Sequence, residues 1–123
     1  MSERIDRLKK IATQLRRDVV NTVYYAGDGH PGPSLSISDL ITALYFDIMR
    51  LKPEEQDWLH RDRFILSKGH ACPMYYAALA RRGFFPPSEL KSLRKLNSRL
   101  QGHPVMQYTP GVDATSGSLG HGL

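Results

Sequence analysis

Four of the five histidines in this chain stand directly after a glycine: Gly29-His30, Gly69-His70, Gly102-His103 and Gly120-His121. The fifth, His60, lies between Leu59 and Arg61. A glycine lets the backbone turn tightly or approach a ligand closely, so each of the four rings is presented from a loop. Imidazole titrates nearest to neutral pH and can both donate and accept hydrogen bonds. It therefore suits proton transfer and the binding of hydroxyl or phosphate oxygens. Three readings compete: a metal centre, unrelated loop histidines, or one polar pocket built from several loops around an oxygen-rich anionic ligand. The successive spacings of 40, 33 and 18 residues contain no HxH, HExxH or CxxC pair, which weighs against a metal. Composition does not decide between the other two.

The elements that must carry these loops follow from hydrophobic spacing. Ile5, Leu8, Ile11, Leu15, Val19 and Val23 recur every three or four residues. That predicts an amphipathic helix capped by Ser2 and ended by Gly27, in the breaker run AGDGHPGP. A second helix is predicted from Ser36 to Met49. Ser36 and Asp39 would form its capping box, and Leu40, Ile41, Leu44, Tyr45 and Ile48 its apolar face. Phe64-Ile65-Leu66 reads as a short buried strand suited to a parallel sheet, running into Ser67-Lys68-Gly69-His70. A third helix follows from Cys72 or Pro73 to Arg82, stopped by Gly83. Strand, glycine-bearing turn and helix make the α/β pattern in which sites form at strand ends. A short helix, Glu89 to Leu96, is expected behind a Ser88 cap. From Gln101 onward the chain is rich in Gly, Ser, Thr and Pro, without helical periodicity. One strand cannot make a sheet alone, so the chain reads as part of a longer architecture.

Composition narrows the classes. The 123 residues are 41% hydrophobic and 24% charged, values of an ordinary globular domain. The single cysteine, Cys72, allows no internal disulfide and fits a reducing compartment, hence a cytoplasmic location. No apolar run approaches the roughly 20 residues of a membrane span. The opening MSERIDRLKK has no apolar segment behind its charges, unlike a secretory signal. The net charge of +5 comes from 17 basic and 12 acidic residues spread along the chain, with no nucleic-acid-binding motif. No nucleic-acid or membrane partner is expected.

Taken in order, the motifs resemble the N-terminal region of transketolases. They are Gly29-His30-Pro31-Gly32, then Arg61-Asp62-Arg63-Phe64-Ile65-Leu66-Ser67-Lys68-Gly69-His70, then Gly102-His103-Pro104. Thr109-Pro110-Gly111-Val112-Asp113 and Ser116-Gly117-Ser118-Leu119-Gly120-His121-Gly122 complete the series. Pro33-Ser34-Leu35-Ser36 and Ser67-Lys68-Gly69-His70-Ala71 look most like the separate N-terminal subunit of split transketolases. The resemblance runs from about residue 5 to residue 123.

It implies an α/β class: a partial thiamine-diphosphate-binding fold, the helix-rich N-terminal part of a parallel-sheet domain with flanking helices. Residues 1–123 would be a truncated part of that domain. The implied activity is transfer of a two-carbon ketol unit from a ketose phosphate to an aldose phosphate, with thiamine diphosphate and Mg²⁺ as cofactors. His30 and His103 match histidines that place and move protons on the donor sugar. His70 matches one that touches the cofactor diphosphate. Gly117 and Leu119 match positions contacting the cofactor, and His121 stands where many relatives carry Gln. Asp28 stands where many carry a small hydroxyl residue.

The implied metal ligands, a GDG with a downstream Asn, are expected beyond residue 123. The activating Glu would come from the partner. Gly27-Asp28-Gly29 looks like that GDG but follows a helix and has only Asn97 after it, so it reads as a turn. The implied partners are a C-terminal transketolase subunit or domain and sugar-phosphate substrates, in a dimeric assembly. Alternatives are another thiamine-diphosphate-dependent ketol or aldehyde transferase, and a non-catalytic remnant of the family.

Overall fold

The computed structural model describes residues 2–120. Helix α1 runs over Ser2–Ala26 and buries Leu15 and Val19 from the predicted stripe, together with Ala12, Asp18 and Thr22. Ile5, at the start of the stripe, stays exposed. Ser2 lies inside the first turn and is not its cap, because the helix begins one residue earlier than expected.

The predicted second helix divides in two and is preceded by a further short one. Helix α2, Pro31–Leu35, forms where only a breaker was expected, with its two prolines in the first turn where no amide partner is needed. Helix α3 spans Ser38–Ala43 and widens into a π-wound turn over Leu44–Ile48. The Ser36–Asp39 capping box does not form. The Ser36 hydroxyl donates instead to the Pro33 carbonyl (2.9 Å), closing α2, and the α3 cap position falls to Ile37, with no side-chain cap. The free carbonyls of the π turn find partners in other elements. Arg82 Nε donates to the Tyr45 carbonyl (2.9 Å) and an Arg7 guanidinium nitrogen to the Phe46 carbonyl (3.1 Å). Two arginines thus satisfy carbonyls inside the wider turn. Ile41 and Tyr45 are buried as predicted, while Leu40 and Ile48 face solvent.

At the centre is helix α4, Cys72–Arg82, preceded by a 3₁₀ turn at Gly69–Ala71. Every residue from Cys72 to Ala80 is buried, as expected of a helix apolar on all faces. Gly83 ends it at φ 110°, and its amide donates to the Leu79 and Ala80 carbonyls, the predicted stop. Helices α1, α2 and α3 all pack on α4. A bidentate pair ties α1 to it: Arg81 donates to both carboxylate oxygens of the buried Asp18, at 2.8 and 2.9 Å.

Two predicted elements are absent among the described residues. Phe64-Ile65-Leu66 pairs with no strand. The Phe64 amide donates to Asp113 Oδ2 (2.7 Å), and Arg61 pairs with the other carboxylate oxygen. The carboxylate of Asp113 thus takes the part a neighbouring strand would play. The Phe64 ring meets Tyr45 and Tyr75 edge-on, with centroids 5.6 and 5.3 Å apart. The helix expected at Glu89–Leu96 is only a 3₁₀ turn, Pro87–Ser92, with no Ser88 cap. Arg94 and Asn97 adopt positive φ beyond it, which no helix allows. The tail carries no helix, as expected, but is bonded back onto the molecule. The Ser116 amide donates to the Pro104 carbonyl (3.2 Å) and the Gly120 amide to that of Ser67 (3.0 Å). No helix among the described residues is long and apolar enough to cross a membrane.

Candidate functional site

Three of the glycine-flanked histidines converge. His30, His70 and His103 line one cleft of about 430 Å³, with Gly29, Cys72, Pro73, Leu93, Arg94, Gln101 and Gly102. The His30 and His70 rings meet edge to face, with centroids 5.2 Å apart.

Each ring is placed by bonds that the fold supplies. His30 precedes α2, and α2 is fastened to the turn that carries His70. Lys68 Nζ donates to the Pro33 carbonyl and to Ser36 Oγ, both at 2.9 Å, and Ser34 Oγ donates to the Ala71 carbonyl (3.3 Å). His103 is placed by the first two turns of α4. Cys72 and Tyr76, four apart and therefore on one face, donate to the Gly102 (3.1 Å) and Gln101 (2.6 Å) carbonyls. Gly69 is the point of closest approach. A Cβ there would lie 2.9 Å from Ser116 Oγ and 3.1 Å from both His103 Cδ2 and the Ser116 carbonyl carbon. Only a glycine lets the His70 turn, His103 and the Ser116 loop meet this closely.

The electrostatics suit an anion. No Asp or Glu lines the cleft, against three imidazoles and one guanidinium. Partial burial, followed by the charges of His30, Lys68 and His103, holds His70 below the ordinary histidine value. At the rim, Arg94 donates to Asp28 (2.7 Å). This bond, and then that of the Gly29 amide, keep the Asp28 carboxyl below the usual carboxylate range. Cys72 makes no free nucleophile, since burial pushes its thiol up to about 12.

The second part of the predicted site lies outside the histidine cleft, on the loop that the Gly120 amide ties to the Ser67 carbonyl. Neither Gly117 nor Leu119 lines the histidine cleft. Among the described residues nothing lies within 4 Å of where a Gly117 Cβ would sit, and Leu119 is 74% exposed. Ser116 Oγ is buried with no hydrogen-bond partner. The open Gly117 backbone and the exposed Leu119 leave polar and apolar surface free for a ligand here, whereas the Ser116 hydroxyl is closed off from solvent. His121 lies outside the described residues. Gly27-Asp28-Gly29 is the turn expected, linking α1 to α2. No group of three or more His, Cys, Asp or Glu among the described residues could hold a metal ion.

A second hollow, of about 450 Å³, lies between the Arg61 and Thr109–Asp113 segments. Several of its polar groups are engaged in holding the chain together, through Arg61 with Asp113, Arg99 with Glu89 and the Gly111 amide with Gln56. Arg94 and Cys72 were not expected at the histidine cleft. In the sequence, Arg94 looks like any other solvated cation, and no local signal marks its return to His30.

This chain matches the family described as "Transketolase, thiamine diphosphate binding domain" over residues 7–123. It is 43% identical over 123 residues to the 6-deoxy-6-sulfo-D-fructose transketolase subunit SqwG of Clostridium sp. (strain MSTE9), covering 100% of this chain and 45% of that protein. It is 42% identical over 121 residues to the transketolase of Pongo abelii, covering 98% of this chain and 19% of that one. The chain thus spans less than half the length of both curated relatives. Among solved structures, Pichia stipitis transketolase in complex with sedoheptulose-7-phosphate matches with a TM-score of 0.89 at 38% identity, over 94% of this chain and 17% of that one. Transketolase from Leishmania mexicana matches with a TM-score of 0.88 at 35% identity, over 94% and 17%. The expected partial thiamine-diphosphate-binding fold is thereby borne out, although its strand is not formed in the described residues. This chain belongs to the transketolase family, as part of its thiamine diphosphate binding domain.

Proposed function

We propose that the chain is the N-terminal, diphosphate-seating segment of a transketolase and that it contributes to ketol transfer only together with further transketolase sequence. The observation that carries this reading is the convergence of His30, His70 and His103, from three distant segments, on one cleft free of acidic residues. When bound, thiamine diphosphate supplies the electron sink for carbon–carbon bond cleavage and formation. His70 binds a diphosphate oxygen, for which its neutral ring offers one N–H donor. Gly117 offers backbone at close range, Leu119 an apolar surface, and His121 a further donor. His30 and His103 hold the sugar hydroxyls and move protons at the oxygens of the donor carbonyl and its neighbours.

Mg²⁺ belongs to this reading as the counter-ion of the diphosphate, with its ligands expected beyond residue 123. The partner is a C-terminal transketolase subunit or domain in a dimeric, cytoplasmic assembly. The SqwG relative, itself named a subunit, supports a two-chain arrangement. The substrates are sugars bearing an anionic group, phosphate or sulfonate, as in the 6-deoxy-6-sulfo-D-fructose of the SqwG relative's name and the sedoheptulose-7-phosphate bound to the Pichia stipitis enzyme.

Calorimetric titration of thiamine diphosphate with Mg²⁺, into the chain alone and with a C-terminal transketolase partner, tests the proposal. Binding in the partnered form, with ketol transfer only there, supports it. Absence of binding in both forms overturns it in favour of a non-catalytic family remnant. Turnover by the chain alone would refute the need for a partner.

A further inference from the structure

The rim of the histidine cleft carries a cation in an unusual posture. Arg94 adopts φ 62°, a left-handed conformation that costs a long side chain energy and persists only where the surroundings impose it. Its amide donates to the Leu100 carbonyl (2.8 Å). Its stem lies over Gly102, where a Cβ would sit 3.5 Å from Arg94 Nε and 3.6 Å from Cδ. The fold thus fixes both ends of the stem and delivers the guanidinium to the cleft that His30, His70 and His103 line.

Once there, most of its binding capacity is unused. Among the described residues its one side-chain hydrogen bond is from Nη1 to Asp28 Oδ2, at 2.7 Å. A guanidinium offers five N–H donors in a planar fork matched to two oxygens of a carboxylate, phosphate or sulfonate. Asp28 occupies only one of those donors. The pair is also open to water, with side-chain exposures of 45% for Arg94 and 71% for Asp28. Exposed pairs of this kind are weak and exchangeable. The other Asp28 oxygen accepts from the Gly29 amide (2.8 Å), so the carboxylate keeps a partner when the arginine leaves.

We propose that Arg94 is an oxyanion-binding residue of the histidine cleft and that Asp28 is its resident competitor. An incoming phosphate or sulfonate takes the guanidinium fork, and Asp28 is released to the Gly29 amide. The carboxylate at the rim thereby sets how tightly an anion is held. This inference rests on reading the cleft as a ligand site and does not depend on ketol transfer. The oxyanion has two possible sources, the sugar substrate or the cofactor diphosphate, and they are separable by experiment.

The test is an NMR titration of the full chain, following the Arg94 Nε–H and the histidine ring signals. The probes are inorganic phosphate and methanesulfonate at constant ionic strength set with chloride. Saturable shifts at Arg94 are expected. Asp28→Asn should tighten both anions by about two- to fivefold, the range of an exposed ion pair. Arg94→Asn should weaken them at least about fivefold, and asparagine suits the positive φ, so the fold should persist. Weaker binding in Asp28→Asn would overturn the competitor role, and unchanged binding in Arg94→Asn would overturn the ligand role. In a second arm the partnered form, shown by calorimetry to hold thiamine diphosphate, is first saturated with it and the phosphate titration is repeated. A phosphate response that survives assigns Arg94 to the sugar's oxyanion; a response blocked by thiamine diphosphate assigns it to the cofactor. Anion exchange at Arg94 with no cofactor binding in the partnered form would sustain this inference while removing the proposed function. Cofactor binding with no anion response at Arg94 would do the reverse.

Discussion

The His70 ring lies edge to face against His30, with centroids 5.2 Å apart, although 40 residues separate them in the chain. Partial withdrawal from water, and then the charge of His30, disfavours protonation of His70. Lys68 and His103 add to this, so His70 holds its proton less readily than an ordinary histidine. The unfolded chain therefore binds that proton more readily than the folded one. His70 leaves stability undiminished above its ordinary value of 6.5 and subtracts from it as pH falls through that value. A thermal midpoint measured at pH 7.5 and at pH 5.5 should fall less in His70→Gln than in the unsubstituted chain. An NMR titration should place the His70 midpoint below 6.5. A midpoint above that value would contradict the electrostatic reading.

Gly69→Ala should damage the site more than its size suggests. The added methyl group would lie 2.9 Å from Ser116 Oγ and 3.1 Å from His103 Cδ2 and the Ser116 backbone. The backbone carbon cannot swing aside as a side-chain end can. We expect a loss of about 1–3 kcal/mol, typical of overpacking, read from a denaturant midpoint. The His103 and Ser116 signals should shift in the same sample. A Pro73→Ala control, outside this contact, should leave those signals in place.

Cys72 should resist alkylation although it lines the cleft. Its thiol is buried, titrates at about 12, and donates to the Gly102 carbonyl at 3.1 Å. The thiolate is the reactive form, so at pH 8 iodoacetamide should label Cys72 more than about tenfold slower than a free cysteine. Denaturant should restore the ordinary rate. Rapid labelling of the folded chain would show that the Gly102–His103 loop is not held against α4.

The Asp18–Arg81 pair should matter to stability and not to the cleft. Asp18 Oδ1 also accepts from Gln14 (2.9 Å), and the carboxylate is buried, while Arg81 keeps 37% of its side chain exposed. Asp18→Asn should cost about 1–3 kcal/mol, below the range for a wholly buried pair because water still reaches the arginine. A double-mutant cycle with Arg81→Gln checks that the loss belongs to the pair. The ring signals of His30 and His103 should stay unchanged.

Much of the framework was legible in the sequence. The three- and four-residue spacing of Leu15, Val19 and their neighbours predicts α1, and Gly83 predicts where α4 stops, because both depend on contacts within a turn or two. The glycine-flanked histidines predict loop presentation for the same reason. Where the sequence misleads, a distant residue intervenes. The apolar run Phe64–Leu66 has the composition of a strand, but the Phe64 amide is taken by Asp113, 49 positions away. Ser36 has the spacing of a cap, yet it closes the end of α2 and its hydroxyl turns back to Pro33.

The sequence by itself determined which chemistry the chain can present: imidazoles on glycine hinges, in an order that resembles one family. Only the tertiary structure decided that His30, His70 and His103 share a cleft while Gly117 and Leu119 stand beyond it, and that Arg94 reaches back 66 positions to Asp28. Periodicity and capping are local and can be read one turn at a time. The meeting of distant loops depends on how α1, α2 and α3 bury their faces against α4, a property of the whole packed core that no single segment encodes.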